Sequence, residues 1–340
     1  MRCWAVSNSP LVSVIIPTYK RPQECLRAVR SVLIQTLQDF EIIVGDDFGE
    51  DETKKLIENL GDPRVRYFYN QGKGGSASKN RNLCFSRARG KFITFLDSDD
   101  FILPHKLQLQ LEALDATPDE LGFAISGTRV VKICEGKYYR YRDLIPAASG
   151  DISGTYFSRK LHCYNTSMMV KRGALIAVGG WDPDMGPYDD SELLMRLGLK
   201  YKAARVKEVS TLWFDHDNES FSSDQGARLK GLEGFLLKHE SLLGKYPMWA
   251  DSRIRELIKL LFLAGEPIKL KKWLDKMPSH TGLSLCLMRG ASLFPSYHRL
   301  LRPVYFFLSK LKNPDWLKDD SVRLEDLIPP ESLKQLKLIL

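Results

Sequence analysis

Carboxylates at two places in the chain are spaced for chemistry. Asp46-Asp47 closes the run Glu41 to Val44, and Asp97-Ser98-Asp99-Asp100 closes the run Lys91 to Leu96. Each run is short and rich in β-branched or aromatic residues, the pattern of a buried strand. Open α/β sheets bind ligands at the carboxyl ends of their strands, so the two acidic groups would meet at one edge. Clustered carboxylates repel one another, and a divalent cation relieves that repulsion. Their oxygens suit Mg²⁺ or Mn²⁺, which keep positions open for phosphate oxygens. Such an ion, bridging a diphosphate, would neutralise the charge that grows on a leaving group. The plainer alternative is that Asp97-Ser98-Asp99 only turns the chain and caps the next helix.

The elements that would position these acids alternate along the first half. Val12 to Ile16 reads as a strand that stops at Pro17. A helical pattern follows from Pro22 to Gln35, with Leu26, Val29, Val32 and Leu33 on one face. The strand Glu41 to Val44, a helix from about Asp51 to Asn59 and a strand Val65 to Tyr69 come next. Glycines 72, 74 and 75 around Lys73 suggest a phosphate cradle, but neither G-x-G-x-x-G nor G-K-[ST] is present, so they read as the entry to a helix ending near Ala88. Repeated strand–helix units predict a mostly parallel sheet with helices on both faces. Gly122 to Asp143 looks extended, Asp189 to Leu199 helical, and Val209 to Phe214 a last short strand. Beyond about Asp224 helical patterns dominate, which sets a boundary between residues 1–223 and 224–340.

The strings VSVIIPTYKRP, DFEIIVGDD, NRN, ARGKFITFLDSDD and GGWDPDMGPYDDSELLMRL occur in that order. The ordered set resembles the family 2 glycosyltransferases, which have a Rossmann-like GT-A fold, over roughly residues 11–222. The resemblance implies an inverting, metal-dependent transfer of a sugar from a UDP-sugar to an acceptor hydroxyl. It places Pro17, Thr18, Tyr19 and Arg21 around the base and ribose, and Asp47 against the uracil ring. It puts Arg81 and Asn82 near the nucleotide, Asp97 by the ribose and donor sugar, and Asp99 on Mn²⁺ or Mg²⁺. Asp190, where the family usually has Glu-Asp at 189–190, becomes the base. Inversion in one displacement needs such a group opposite the departing diphosphate, taking the acceptor's proton as the bond forms. Asp189 and Asp190 at a helix N-terminus also suit the helix dipole without any catalysis. His216 follows the last strand and would reach the metal or the diphosphate, or else stand as a surface histidine. The chain departs from the family at Phe48-Gly49-Glu50 in place of Gly-Ser-Thr, at Cys84 in place of glycine, and at Trp181 in place of phenylalanine.

The composition, 44% hydrophobic and 27% charged over 340 residues, is that of a folded globular chain. The net charge of +8 favours anionic partners, but no nucleic-acid motif is present. Six scattered cysteines form no C-x-x-C pair and read as idle thiols in a reducing compartment. No signal peptide or membrane-spanning run is evident, so the expected location is cytoplasmic, against the inner face of the membrane. Basic-apolar stretches at 268–273 and 298–312 suit an anionic membrane surface, and equally suit packed helices with solvated faces. The expected acceptor is a glycan or lipid-linked saccharide. A nucleotidyltransferase would need a G-G-x-G-T-R loop where Pro17-Thr18-Tyr19-Lys20 stands. A degenerate binding protein would not need Asp47, Asp99 and Asp190.

Overall fold

Strand and helix alternate from the start of the computed structural model, which describes residues 9–71, 75–116, 120–134, 137–161, 163–216, 224–277 and 332. The order is β1 (Val12–Thr18), α1 (Pro22–Leu33), β2 (Phe40–Asp46), α2 (Thr53–Glu58), β3 (Val65–Tyr69), α3 (Ala77–Arg87) and β4 (Phe92–Phe95). β1 and β2 are buried along their whole length, which explains their unbroken apolar runs. β1 runs through Pro17 to Thr18 rather than stopping at the proline. The Ile15 carbonyl points to β4 and accepts from Leu96 N, so Pro17, two residues on, faces the side where β4 has already ended. Its missing N–H therefore costs no ladder bond.

The chain continues with β5 (Phe101–Ile102), α4 (Lys106–Asp115), β6 (Leu121–Cys134), β7 (Lys137–Leu144), α5 (Ser153–Phe157), β8 (Met168–Lys171), α6 (Arg172–Ala177), α7 (Asp189–Lys200) and β9 (Lys202–His216). Among the described residues the strands form one sheet in the order β3-β2-β1-β4-β8-β6-β9-β5, with β7 beside β6. The first four strands are parallel, as expected of strand–helix repeats. Beyond β4 the sheet is mixed: β8 is antiparallel to β4 and β6, while β6 and β9 are parallel. The short connection from β6 to β7 makes a hairpin, which only antiparallel strands allow. The stretch Val209 to Phe214 proves to be the end of a 15-residue strand. Register shifts against β6 and the exposed Lys207 and Glu208 break its apolar pattern.

The helices α8 (Gln225–Lys238), α9 (Glu240–Lys245), α10 (Pro247–Ala264) and α11 (Pro267–Asp275) follow. One hydrophobic core covers a face of the sheet and continues from Ile15 and Phe95 through Trp181 and Leu193 into Leu232, Trp249 and Trp273. The other face packs Val14, Ile16 and Val44 against Val29 and Leu107. α11 turns Leu270, Trp273 and Leu274 inward and leaves Ile268, Lys269, Lys271 and Lys272 exposed. Among the described residues no helix is long and apolar enough to cross a membrane. The stretches 72–74 and 298–312 lie outside the described residues.

Candidate functional site

The ends of β1, β2 and β3 converge on Asp47. Its backbone N–H donates to the Thr18 carbonyl at 3.1 Å, and its carboxylate accepts from Asn70 Nδ2 at 3.1 Å. Burial pushes the Asp47 carboxyl above its ordinary value, against the pull of Asn70 and Asn80. Asp46 turns inward instead, accepting from the Tyr67 hydroxyl at 2.7 Å and Phe48 N at 2.9 Å, so it closes the turn after β2. Tyr19 is exposed and meets the Phe48 ring edge-on, with the Lys20 ammonium 4.5 Å from the centre of that ring. Lys20 holds a left-handed backbone, φ 54°, a strained conformation for a lysine. Phe48, a departure from the resembled pattern, thus packs with Tyr19 and Lys20 beside these strand ends.

The next residue along, Arg21, pairs with Asp99. That contact joins the end of β1 to the turn after β4. Asp97, in the same turn, accepts from Arg81 Nη2 of α3 at 2.6 Å. The other arm of that guanidinium, Nη1, donates to Asp189 at 2.7 Å, and Ser78 donates to the same carboxylate oxygen at 2.7 Å. Arg81 is buried. Burial opposes its charge, but Asp97 and Asp189 outweigh that and hold its pKa above the ordinary value. Asp100 is fully buried, accepting from the Thr166 hydroxyl at 2.9 Å and Phe214 N at 3.1 Å. Burial, then the charges of Asp99 and Asp97, hold its carboxyl well above the usual range.

Asn82, next to Arg81, turns its side chain to the backbone of Trp181. Its amide donates to the Trp181 carbonyl at 2.8 Å and accepts from Trp181 N at 3.0 Å, so both ends of the amide hold the turn before α7. Gly180 lies in that turn at φ 69°, and a Cβ there would sit 2.7 Å from the Asn82 oxygen. The Trp181 ring packs edge-on against Phe95 at 4.4 Å.

Asp190 lies in the first turn of α7. Its N–H donates to Asp189 Oδ1 at 2.8 Å, and its carboxylate accepts from Ser191 N at 2.5 Å. Burial first, and then the Asp189 charge, push its carboxyl up to about 7. A carboxyl poised there can accept a proton at neutral pH far better than an ordinary aspartate. Pro17, Thr18, Tyr19, Arg21, Asp47, Arg81, Asp97, Asp99 and Asp190 therefore lie along one connected edge. Sequence reading missed Asn70, Ser78 and the bridging role of Asp189. Asn70 lies one residue past β3, where the strand-end rule could have found it.

Asp97 and Asp99 offer hard carboxylate oxygens of the kind Mg²⁺ and Mn²⁺ prefer. Among the described residues no three His, Cys, Asp or Glu side chains form a ready cage. An ion here would take the rest of its shell from a diphosphate and water. His216 ends β9, but its side chain falls outside the described residues. A 270 Å³ hollow lined by Ile57, Glu58, Gly61, Asp62, Val65 and Tyr67 opens near the start of β3, the end opposite these acids.

A family profile, Glycosyl transferase family 2, matches residues 13–179. The chain carries a family 2 glycosyltransferase domain. An uncharacterized glycosyltransferase of Rickettsia conorii is 37% identical over 172 residues, 50% of this chain and 27% of that protein. The GalNAc(5)-diNAcBac-PP-undecaprenol beta-1,3-glucosyltransferase of Campylobacter jejuni is 39% identical over 105 residues, 30% of this chain and 34% of its own length. The matched stretch thus spans about a quarter to a third of these two curated relatives. The crystal structure of S. aureus TarS 1-349 in complex with UDP-GlcNAc aligns with a TM-score of 0.60 at 15% identity, covering 85% of this chain and 87% of that one. That likeness is one of fold. The family 2 match takes in Asp47, Arg81, Asp97 and Asp99 and ends at Gly179, so Asp189 and Asp190 lie just beyond it.

Proposed function

We propose that this chain is an inverting, metal-dependent glycosyltransferase that moves a sugar from a UDP-sugar to a hydroxyl of a lipid-linked saccharide during synthesis of a surface glycan. The observation that carries this is the Arg81 bridge, which ties Asp97 after β4 to Asp189 beside Asp190. One buried guanidinium thereby holds the donor side and the acceptor side of a displacement in register. The Campylobacter relative is named for glucosyl transfer to an undecaprenol-linked acceptor, and the TarS structure holds UDP-GlcNAc. Both support this reading.

Asp47, between the strand ends, would accept a hydrogen bond from the uracil ring. Asp97 and Asp99 would hold Mn²⁺ or Mg²⁺, which when bound neutralises charge on the leaving diphosphate. Arg21 already pairs with Asp99, so an ion there competes with an existing ion pair. Asp190 takes the acceptor hydroxyl's proton as the new C–O bond forms opposite the departing diphosphate. The exposed Ile268 and lysines of α11 support contact with an anionic membrane surface, and flotation with anionic liposomes tests it.

The test is transfer from a panel of nucleotide sugars with Mn²⁺ or EDTA. Asp99→Ala should abolish transfer and weaken Mn²⁺-dependent UDP binding in calorimetry. UDP binding that keeps its full metal dependence in this variant removes Asp99 as a ligand. The raised Asp190 carboxyl sets the pH profile: the base works ionised, so kcat should fall about tenfold per unit below about pH 7. A flat profile down to about pH 5 means another group takes the proton.

A further inference from the structure

The parts that place the first turn of α7 come from beyond β9. Tyr188, the residue before α7, donates its hydroxyl to Glu256 Oε1 of α10 at 2.7 Å. Arg228 of α8 donates to the same oxygen at 3.0 Å, and Arg253 to the other at 3.2 Å. Burial alone would raise the Glu256 carboxyl, but Tyr188 and the two arginines hold it below its ordinary value. It is therefore a charged anchor for Tyr188.

Steric contact reinforces the polar one. α8 passes so close to the Met185–Tyr188 turn that a Cβ on Gly231 would lie 2.4 Å from the Met185 carbonyl oxygen and 3.4 Å from the Tyr188 ring. Only glycine fits that approach. On the same helix α7, the buried Glu192 meets Nε2 of His239, the residue after α8, at 2.9 Å and pairs with Arg196. Arg196 in turn donates to the carbonyls of Val178 and Gly180. The helix that carries Asp190 in its first turn is thus gripped at its entry and along its length.

We infer that α8 and α10 form a clamp that fixes Asp190 relative to Asp97, with Tyr188, Gly231 and Glu256 as positioning residues for the transfer. This rests on the reading of Asp190 as the base. The first turn of α7 sets two adjacent carboxylates side by side, Asp189 buried and Asp190 half-buried, which repel each other and need outside restraint. A displacement of about 1 Å at a reacting group can cost about 10²-fold in rate.

Two alanine variants of α8 test the clamp in the full chain. Gly231→Ala should lower kcat about tenfold or more, with the donor KM within about twofold. Gly234→Ala gains the same helix propensity, but its new methyl meets only the Asp184 carbonyl at 3.9 Å, so its kinetics should match the wild type. Tyr188→Phe, which removes one hydroxyl, should lower kcat in the same sense and decides alone if Gly231→Ala does not fold. Wild-type kcat in Tyr188→Phe and in folded Gly231→Ala, even with lower melting temperatures, makes the contacts merely structural and overturns the clamp. Asp190→Asn is assayed alongside. If it stays active, the base assignment falls and the clamp with it; if it is inert while the others are normal, only the clamp falls.

Discussion

Asp190→Asn is expected to lower transfer about 10²-fold or more while leaving UDP affinity nearly intact, the scale of a lost general base. Steady-state rates with calorimetric UDP titrations check both halves. The same variant should melt higher than the wild type at about pH 8. In the fold, burial and the Asp189 charge raise the Asp190 carboxyl from 3.8 to about 7. The unfolded chain gives up that proton at its ordinary pKa, so the ionised form works against the fold. This penalty is absent below both values, grows as pH rises through the window between them, and is complete above about 7. Asparagine keeps an oxygen for Ser191 N and carries no charge, so the two melting curves should converge toward about pH 4. An active Asp190→Asn enzyme moves the base elsewhere. A variant that melts lower than wild type at about pH 8 shows that Asp190 is not under this strain.

Arg81→Lys should cost transfer at least tenfold, although the charge is kept. One ammonium cannot copy a planar fork whose two nitrogens reach Asp97 and Asp189 at 2.6 and 2.7 Å. Arg81→Ala should destabilise the fold by about 3–5 kcal/mol, because it leaves two carboxylates facing each other without their cation. Urea denaturation measures the second effect and kcat the first. Near-wild-type kcat in Arg81→Lys would mean that the two sides of the site need no common tether.

Much of this was legible in the residues because local rules acted unopposed. The runs at Val14, Ile42 and Phe92 read as buried strands since the parallel half of the sheet is covered on both faces. The strand-end acids then fell on one edge by topology alone. The later strands were harder. β9 hides its length behind register shifts, and β8 enters between β4 and β6 from far along the chain. No local pattern encodes that insertion. Side-chain roles were the least legible. Asn82 sits beside Arg81 in sequence, yet successive helical residues point about 100° apart. One reaches the carboxylates and the other reaches Trp181. Asp189 stood next to the chosen base and proved to be the partner of Arg81, because the pairing spans 108 positions.

The hydrophobic core that runs from Ile15 to Met277 without a break also governs how the protein comes apart. α8 and α10 cover the Met185–Tyr188 turn that leads into α7, so the α/β half has no finished surface of its own at that border. A chain ending after β9 would uncover the turn at Met185 and Tyr188, with Tyr188 lacking its anchor. The two halves are therefore one cooperative unit, expected to melt in a single calorimetric transition. Evolution can exchange the helical half only for another that fits the same socket.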